Sequence, residues 1–433
     1  MKGRLVCEEF RGMVKFRPYG GWIEMEYHRW LTNKVLKGMS RSPAILLVGA
    51  RQSGKSYLMK AVAKNKNIHY ATFDNLPTLA SASNDPVGFI RSIPKPTILD
   101  EIQRVPELFL PIKEDIDLHR IPGRYSLTGS ANPLLVPKLG DSLAGRMLLY
   151  ELYPLSQGEI LGKAECFLDH VFSDRPAFRS SHFNKTELLE RMIRGGYPEV
   201  QSLQNHEERS EWADGYLSLI LQKDIKDLAN IEGFHQLPNL VLAIAAQVGS
   251  LLNYGNLAKD AQIPMTTLRR YFQLLHSLFI VHTLPSWSRN IKKRLVKSPK
   301  IFFVDTVILF QLLNMDINRL RESPRVLGKA TENFVILELL KQTTWHTQKV
   351  TLSHFHTETH QEVDIILEHE SGKVVGIEVK SSETVGIEDF QHFKMMKEAI
   401  QDDFFRGIVL YAGNQILTFG PDLFALPISS LWE

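Results

Sequence analysis

Between two apolar runs the chain places Gly49-Ala50-Arg51-Gln52-Ser53-Gly54-Lys55-Ser56. The order is G-x-x-x-x-G-K-[ST], and its surroundings fit what that order needs. Ahead of it, Ala44-Ile45-Leu46-Leu47-Val48 reads as a buried strand. Behind it, Tyr57 to Ala63 reads as a helix with Leu58, Ala61 and Val62 on one face. A strand, a glycine loop and a helix start turn bare backbone N–H groups toward a single anion. Residues Gly49 to Ser56, with Tyr57 at the helix start, are therefore the expected nucleotide-binding segment. Lys55 would reach the β- and γ-phosphates, and the Ser56 hydroxyl would hold Mg²⁺.

A second motif completes such a site. Forty-five positions after Lys55 comes Pro96-Thr97-Ile98-Leu99-Asp100-Glu101, an apolar strand ending in two acids. Asp100 would hold the metal, and Glu101 would orient and deprotonate an attacking water. The bland alternative is a surface Asp-Glu pair capping the next helix. Tyr125 to Thr128 reads as another strand, followed by Gly129-Ser130-Ala131-Asn132. Ligands of parallel sheets sit at strand carboxyl ends, so Ser130 and Asn132 are candidates to sense phosphate or position water, against a plain Gly-Ser turn. Arg146 is a candidate catalytic arginine finger for a neighbouring subunit's nucleotide, which would make the protein a homo-oligomer; otherwise it is a surface arginine.

The 433 residues imply two or three domains, and 44% hydrophobic with 23% charged residues is ordinary globular composition. A formal charge of +3 leaves any nucleic-acid surface local. Two distant cysteines, Cys7 and Cys166, exclude a disulfide framework and suit a reducing cytoplasm. No apolar stretch reaches membrane-spanning length, and no signal peptide is evident. The expected organisation is an N-terminal extension over 1–25, or a natural start at Met25, then a P-loop core over 26–155. A helical lid or linker over 156–232, a helix-rich module over 233–310 and a C-terminal α/β part over 325–433 follow. The first helix is expected near Glu26 to Trp30, and one long amphipathic helix from Trp212 to Leu228.

In the middle module, Asn256 to Ala261 reads as a helix, Gln262-Ile263-Pro264 as a turn, and Leu268 to Leu275 as a second helix buried through Leu268, Tyr271 and Leu275. That is a helix-turn-helix with Arg269 and Arg270 projecting from its second helix. The segment Arg289 to Lys300 is basic at six of its twelve positions and leads into the strand Ile301–Val304. The order predicts a winged helix whose basic wing, through Lys292, Lys293 and Arg294, meets nucleic acid, DNA before RNA; the alternative is a packing module with a solvated loop.

Further on, Glu332 lies on an expected helix, Asp364 opens a strand, and Glu378-Val379-Lys380 lies on the next. Residues two apart on a strand share a face, so Glu378 and Lys380 point together and Asp364 can join them. Two carboxylates and a lysine are the arrangement of restriction-endonuclease-like nucleases, with a second Mg²⁺ or Mn²⁺. The alternatives are an exposed ion pair on a hairpin, or an idle site on the same fold. His354, His356 and His360 are read as a polar strand edge rather than a metal site.

Together these residues resemble a family of bacterial and archaeal AAA-type ATPases carrying an uncharacterised C-terminal domain, built from a winged helix and a restriction-endonuclease-like part. The match rests on Gly49–Ser56, Leu99–Val105, Thr128-Gly129-Ser130 with Leu143–Arg146, and Lys293–Lys300. Glu332, Glu362-Val363-Asp364 and Glu378-Val379-Lys380 extend it. Thr306-Val307-Ile308 departs from the Thr-Gly expected there. The resemblance implies ATP binding and hydrolysis. The fold class expected is α/β: a P-loop parallel sheet, a helical winged-helix module and a C-terminal α/β endonuclease-like domain. Three functional readings follow: a Mg²⁺-ATPase coupled to a nucleic-acid-binding region, an ATP-regulated metal nuclease, or a non-enzymatic nucleotide switch scaffolding protein partners.

Overall fold

The computed structural model describes residues 13–16, 25–130, 145–180, 183–224, 236–290, 294, 297–356 and 362–433. The chain divides into two units, Met1–Leu155 and Ser156–Glu433. Among the described residues no helix is long and apolar enough to cross a membrane.

The first unit begins with an antiparallel pair, β1 (Met13–Phe16) and β2 (Met25–His28). The expected helix near Glu26 is thus a strand, and helix formation starts only at Leu31. Burial explains the correction: Tyr27 and Arg29 are buried while His28 between them is half-buried, a period of two, and β1 supplies the ladder partner. Part of the expected extension pairs with the start of the core.

Five strands follow: β3 (Ala44–Val48), β4 (His69–Thr72), β5 (Thr97–Asp100), β6 (Tyr125–Gly129) and β7 (Met147–Glu151). They pair in the order β4-β5-β6-β3-β7, every neighbour parallel. Parallel neighbours need crossovers, here supplied by helices such as Lys55–Lys66 and Phe109–Leu118. Strands β3, β5 and β6 are buried at every position, as inner strands of a parallel sheet are. All five carboxyl ends therefore share one edge of the sheet.

The second unit contains the segments expected over 156–232, 233–310 and 325–433. Asn205 caps the helix His206–Leu219, which widens into a π turn at Ile220–Asp224 rather than running evenly to Leu228; residues 225–235 lie outside the described residues. Helices Leu237–Ala246, Tyr254–Ala261 and Met265–Ser277 precede an antiparallel pair, β8 (Val281–Leu284) and β9 (Lys300–Phe303). Gln262 bridges the last two of those helices in the left-handed region. Asp305 caps the next helix, Thr306–Leu312, so Val307 sits in a helical first turn and no glycine is needed there. The buried Asp305 carboxylate also accepts from the Gly196 N–H at 2.8 Å, tying the Arg194–Pro198 turn to this helix. Burial outweighs these donors and pushes its carboxyl up to about 6.

The long helix Pro324–Trp345 then leads to β10 (Val350–His356), β11 (Glu362–His369), β12 (Val374–Lys380), β13 (Phe404–Tyr411), β14 (Leu417–Gly420) and β15 (Leu423–Pro427). Their order is β10-β11-β12-β13-β15-β14. Pairing is antiparallel from β10 to β12 and parallel from β12 through β13 to β15, so the sheet is mixed. Helix Gln391–Ile400 covers it with Phe393, Met396 and Ile400. It lies close because Gly376 and Gly407 stand beneath Phe393; a Cβ there would meet the ring at 2.9 and 2.7 Å.

Candidate functional site

The loop from Gly49 to Gly54 leaves β3 and enters the helix Lys55–Lys66, whose start has no side-chain cap. Its first N–H groups have no intrahelical acceptor by geometry, which makes the turn an anion cradle. Gly49 has φ 156°, and a Cβ there would meet the Leu152 carbonyl oxygen at 2.0 Å, so only glycine fits. Gly54 and Gln52 are also left-handed. Lys55 is buried and folds back over the loop, its Nζ donating to the carbonyls of Gly49 at 2.9 Å and Ala50 at 2.8 Å. From beneath, buried Arg29 donates to the carbonyl oxygens of Ser53 at 2.6 Å and Tyr153 at 2.7 Å. Arg51, Gln52 and Tyr57 lie at least partly exposed around the same turn.

Asp100 ends β5 beside this loop. Its Oδ1 accepts from Ser56 Oγ at 3.0 Å and from Thr128 Oγ1, and its Oδ2 accepts from the Tyr70 hydroxyl at 2.5 Å. Burial, then the Asp100 charge, pushes the Tyr70 phenol up, so it stays a donor. Glu101 follows at φ 60°, a left-handed conformation uncommon for such a side chain. Its carboxylate accepts from Ser130 Oγ, at 3.0 Å to Oε1 and 3.1 Å to Oε2, and from Gln103 Nε2. A hydroxyl and a carboxylate in contact at the mouth of an uncapped helix fit Mg²⁺ carried by a phosphate chain. Ser56, Asp100, Glu101 and Ser130 are therefore brought together, with Lys55 opening the helix that follows the loop. Tyr70 and Arg29 carried no motif that would have drawn them in. Asn132 lies outside the described residues.

Arg146 is not brought to this loop. Its carbonyl accepts from Ala44 N at 3.3 Å, at the opposite edge of the sheet from Gly49. Its guanidinium makes a two-pronged pair with Asp117, at 2.5 and 3.1 Å.

In the middle module Arg269 and Arg270 are exposed on the second helix of the turn, with Arg269 lying over the Tyr254 ring at 4.9 Å. Lys292 and Lys293 lie outside the described residues, but Arg294 is held by Glu368 at 2.8 and 3.0 Å, Arg289 by Asp403, and Lys297 by the His356 carbonyl at 2.8 Å. His354, on the outermost strand β10 of the six-stranded sheet, is buried because Ser286 and Trp287 pair along it.

The C-terminal residues converge. Lys380 Nζ lies 3.5 Å from Glu378 Oε2, and His392 Nδ1 lies 3.2 Å from Glu378 Oε1. Asp364 Oδ2 accepts from the Val379 N–H at 2.9 Å, and carboxylate oxygens of Glu332, Glu362 and Asp364 come within 4.8 Å of one another. Burial, then Asp364, pushes the Glu378 carboxyl up to about 7, and the Glu378 hydrogen bond raises the His392 imidazole. His392 and Lys300, which reaches Glu332 and Glu362, were not legible as site residues.

Comparison with known families matches residues 41–161 to an AAA domain, 185–319 to a domain of unknown function (DUF8612) and 327–431 to another (DUF4143). An uncharacterised protein of Mycobacterium tuberculosis is 28% identical over 400 residues, covering 92% of this chain and 83% of the relative. An uncharacterised Haemophilus influenzae protein is 22% identical over 324 residues, covering 69% and 74%. Among solved structures, a Walker-type ATPase of Pyrococcus abyssi shares 17% identity over 65% of this chain and 94% of its own, with a TM-score of 0.40. The Thermotoga maritima RuvB Holliday junction branch migration motor shares 19% over 59% and 89%, with a TM-score of 0.27. A parallel sheet that sends a phosphate loop off an inner strand, in the segment matched by the AAA domain model, supports a P-loop ATPase domain of the AAA type within residues 41–161.

Proposed function

We propose that the protein is a cytoplasmic Mg²⁺-dependent ATPase whose nucleotide cycle moves or gates a nucleic-acid-binding C-terminal region. The contact between Ser56 and Asp100, with Glu101 one residue further on, carries the catalytic half. Lys55 would bind the phosphates, Ser56 and Asp100 would hold the Mg²⁺, and Glu101 would take the proton of the attacking water while Ser130 orients its carboxylate. Magnesium supplies charge neutralisation at the phosphate when bound. Arg146, exchanging Asp117 for a neighbouring subunit's nucleotide, is the candidate finger of an oligomer.

For the other half, three helices followed by a strand pair support a winged-helix reading, with Arg269 and Arg270 as its exposed cations. A helix presented that way suits the wide major groove of DNA better than the narrow one of duplex RNA. The test is ATP turnover with and without duplex DNA and RNA. Turnover stimulated by DNA, and DNA binding that weakens steeply with salt, are expected. Slow or absent turnover with tight ATP binding, and no salt-sensitive DNA binding, would instead favour a non-enzymatic nucleotide switch acting on protein partners.

A second reading, an ATP-regulated metal nuclease, is favoured by one observation: Asp364, Glu378 and Lys380 share a face beside Glu332. Cleavage of plasmid, junction or RNA substrates with Mn²⁺, lost in Lys380→Ala, would establish it; intact substrates throughout would reject it.

A further inference from the structure

Lys300 is the first residue of β9, and its ammonium ends inside the acidic cluster of the C-terminal sheet. The side chain is only 2% exposed. Its Nζ lies 2.5 Å from Glu332 Oε1, touches Glu362 Oε1 and stands 3.7 Å from Asp364 Oδ1. Oxygens of these three carboxylates lie within 4.8 Å of one another, close enough to converge on one divalent cation after small side-chain movements. Mg²⁺ draws its oxygens to about 2.1 Å and takes about six of them. A lysine nitrogen at contact distance from the same oxygens leaves no room for both.

Neighbouring oxygens are engaged as well. Glu332 Oε2 meets Lys329 Nζ at 3.1 Å, and Asp364 Oδ2 accepts from Val379 N–H at 2.9 Å. Glu378 faces His392 with one oxygen and Lys380 with the other. Protein cations and N–H groups meet the donors that a metal would need.

The geometry points to Lys300 as a built-in competitor of a divalent cation: its ammonium fills the Glu332, Glu362 and Asp364 cluster, and lysine and metal exclude each other there. Two ammonium groups, from Lys300 and Lys329, balance most of the charge of three carboxylates, so removing Lys300 leaves a strongly acidic pocket with no cation at its core. The inference goes beyond the nuclease reading and concerns occupancy, not cleavage; intact substrates would reject that reading without touching this one.

The experiment is Mn²⁺ binding to the full-length chain without nucleotide, followed by the electron paramagnetic resonance signal of free Mn²⁺. An Asp100→Asn background removes the acid of the phosphate loop. In that background the chain with Lys300 is expected to bind no Mn²⁺ that depends on Asp364. Adding Lys300→Met, which keeps the stem and removes the charge, is expected to tighten binding by about tenfold or more at one new site. Adding Asp364→Asn should abolish that site again. A folded Lys300→Met chain with no gain overturns the proposal, and so does Asp364-dependent binding while Lys300 is present. If Lys300→Met and Lys300→Gln both unfold in metal-free buffer, circular dichroism decides: refolding on Mn²⁺ addition supports the proposal, and unfolding that Mn²⁺ does not reverse overturns it.

Discussion

The Ser56 hydroxyl donates to Asp100 Oδ1 at 3.0 Å, joining the first turn of the helix after β3 to the end of β5. Two residues 44 positions apart are in contact because β5, β6 and β3 are parallel and end at one edge. Thr128 and Tyr70 also donate to Asp100, so the carboxylate is oriented from three elements. Asp100→Asn keeps its size and loses its charge. It is expected to lower Mg²⁺-dependent ATP turnover by about 100-fold or more, with Mg²⁺ titration of turnover as the measurement.

Glu101 sits in a left-handed conformation with both carboxylate oxygens accepting hydrogen bonds. Glu101→Gln removes the proton acceptor without disturbing the loop. Turnover should fall by roughly 10²- to 10⁴-fold while nucleotide binding persists, read by single-turnover kinetics beside calorimetry. Parallel loss of affinity would assign Glu101 a structural role instead.

Asp305 lies in a buried position with its carboxyl raised from 3.8 to about 6. A raised acid binds its proton more tightly in the folded chain than in the unfolded one. Its contribution to stability is therefore fully present below the unfolded value and is lost as pH rises through the folded one. Urea unfolding of the second unit should show stability falling between about pH 4 and pH 6, by roughly 3 kcal/mol, and then levelling. Asp305→Asn keeps an acceptor for Gly196 or Val307 and should flatten that profile.

The two arginine pairs of the middle module predict different behaviour. Arg270 is exposed, whereas Arg294 is clamped by Glu368. Arg270→Ala should weaken DNA binding and reduce its salt slope by about one, measured by fluorescence anisotropy over a salt series. Arg294→Ala should leave the slope unchanged and lower thermal stability instead.

How much was legible beforehand follows from where partners lie in the chain. Gly49 to Ser56 is contiguous, and an apolar strand ending in Asp100-Glu101 marks itself, so the heart of the site and its strand pattern could be read directly. The strand β2 was taken for a helix because its partner, Met13–Phe16, sits in a segment without clear patterning. Tyr70, Arg29 and Lys300 act on residues 30, 24 and 32 positions away, and nothing local announces such contacts. The pairing of Arg294 in the basic run before β9 was likewise hidden, because the carboxylate facing it is 74 positions distant. Charge counted along a chain does not reveal whether folding will pair it.

The central claim is that a triphosphate with Mg²⁺ is held by the loop between β3 and its helix. Isothermal titration of the full chain with ATP and Mg²⁺, beside Lys55→Ala, tests it most directly. One saturable site in the native chain, lost or strongly weakened in the variant, is the predicted result. Equal binding by both, or no nucleotide uptake by a well-folded native chain, would contradict it.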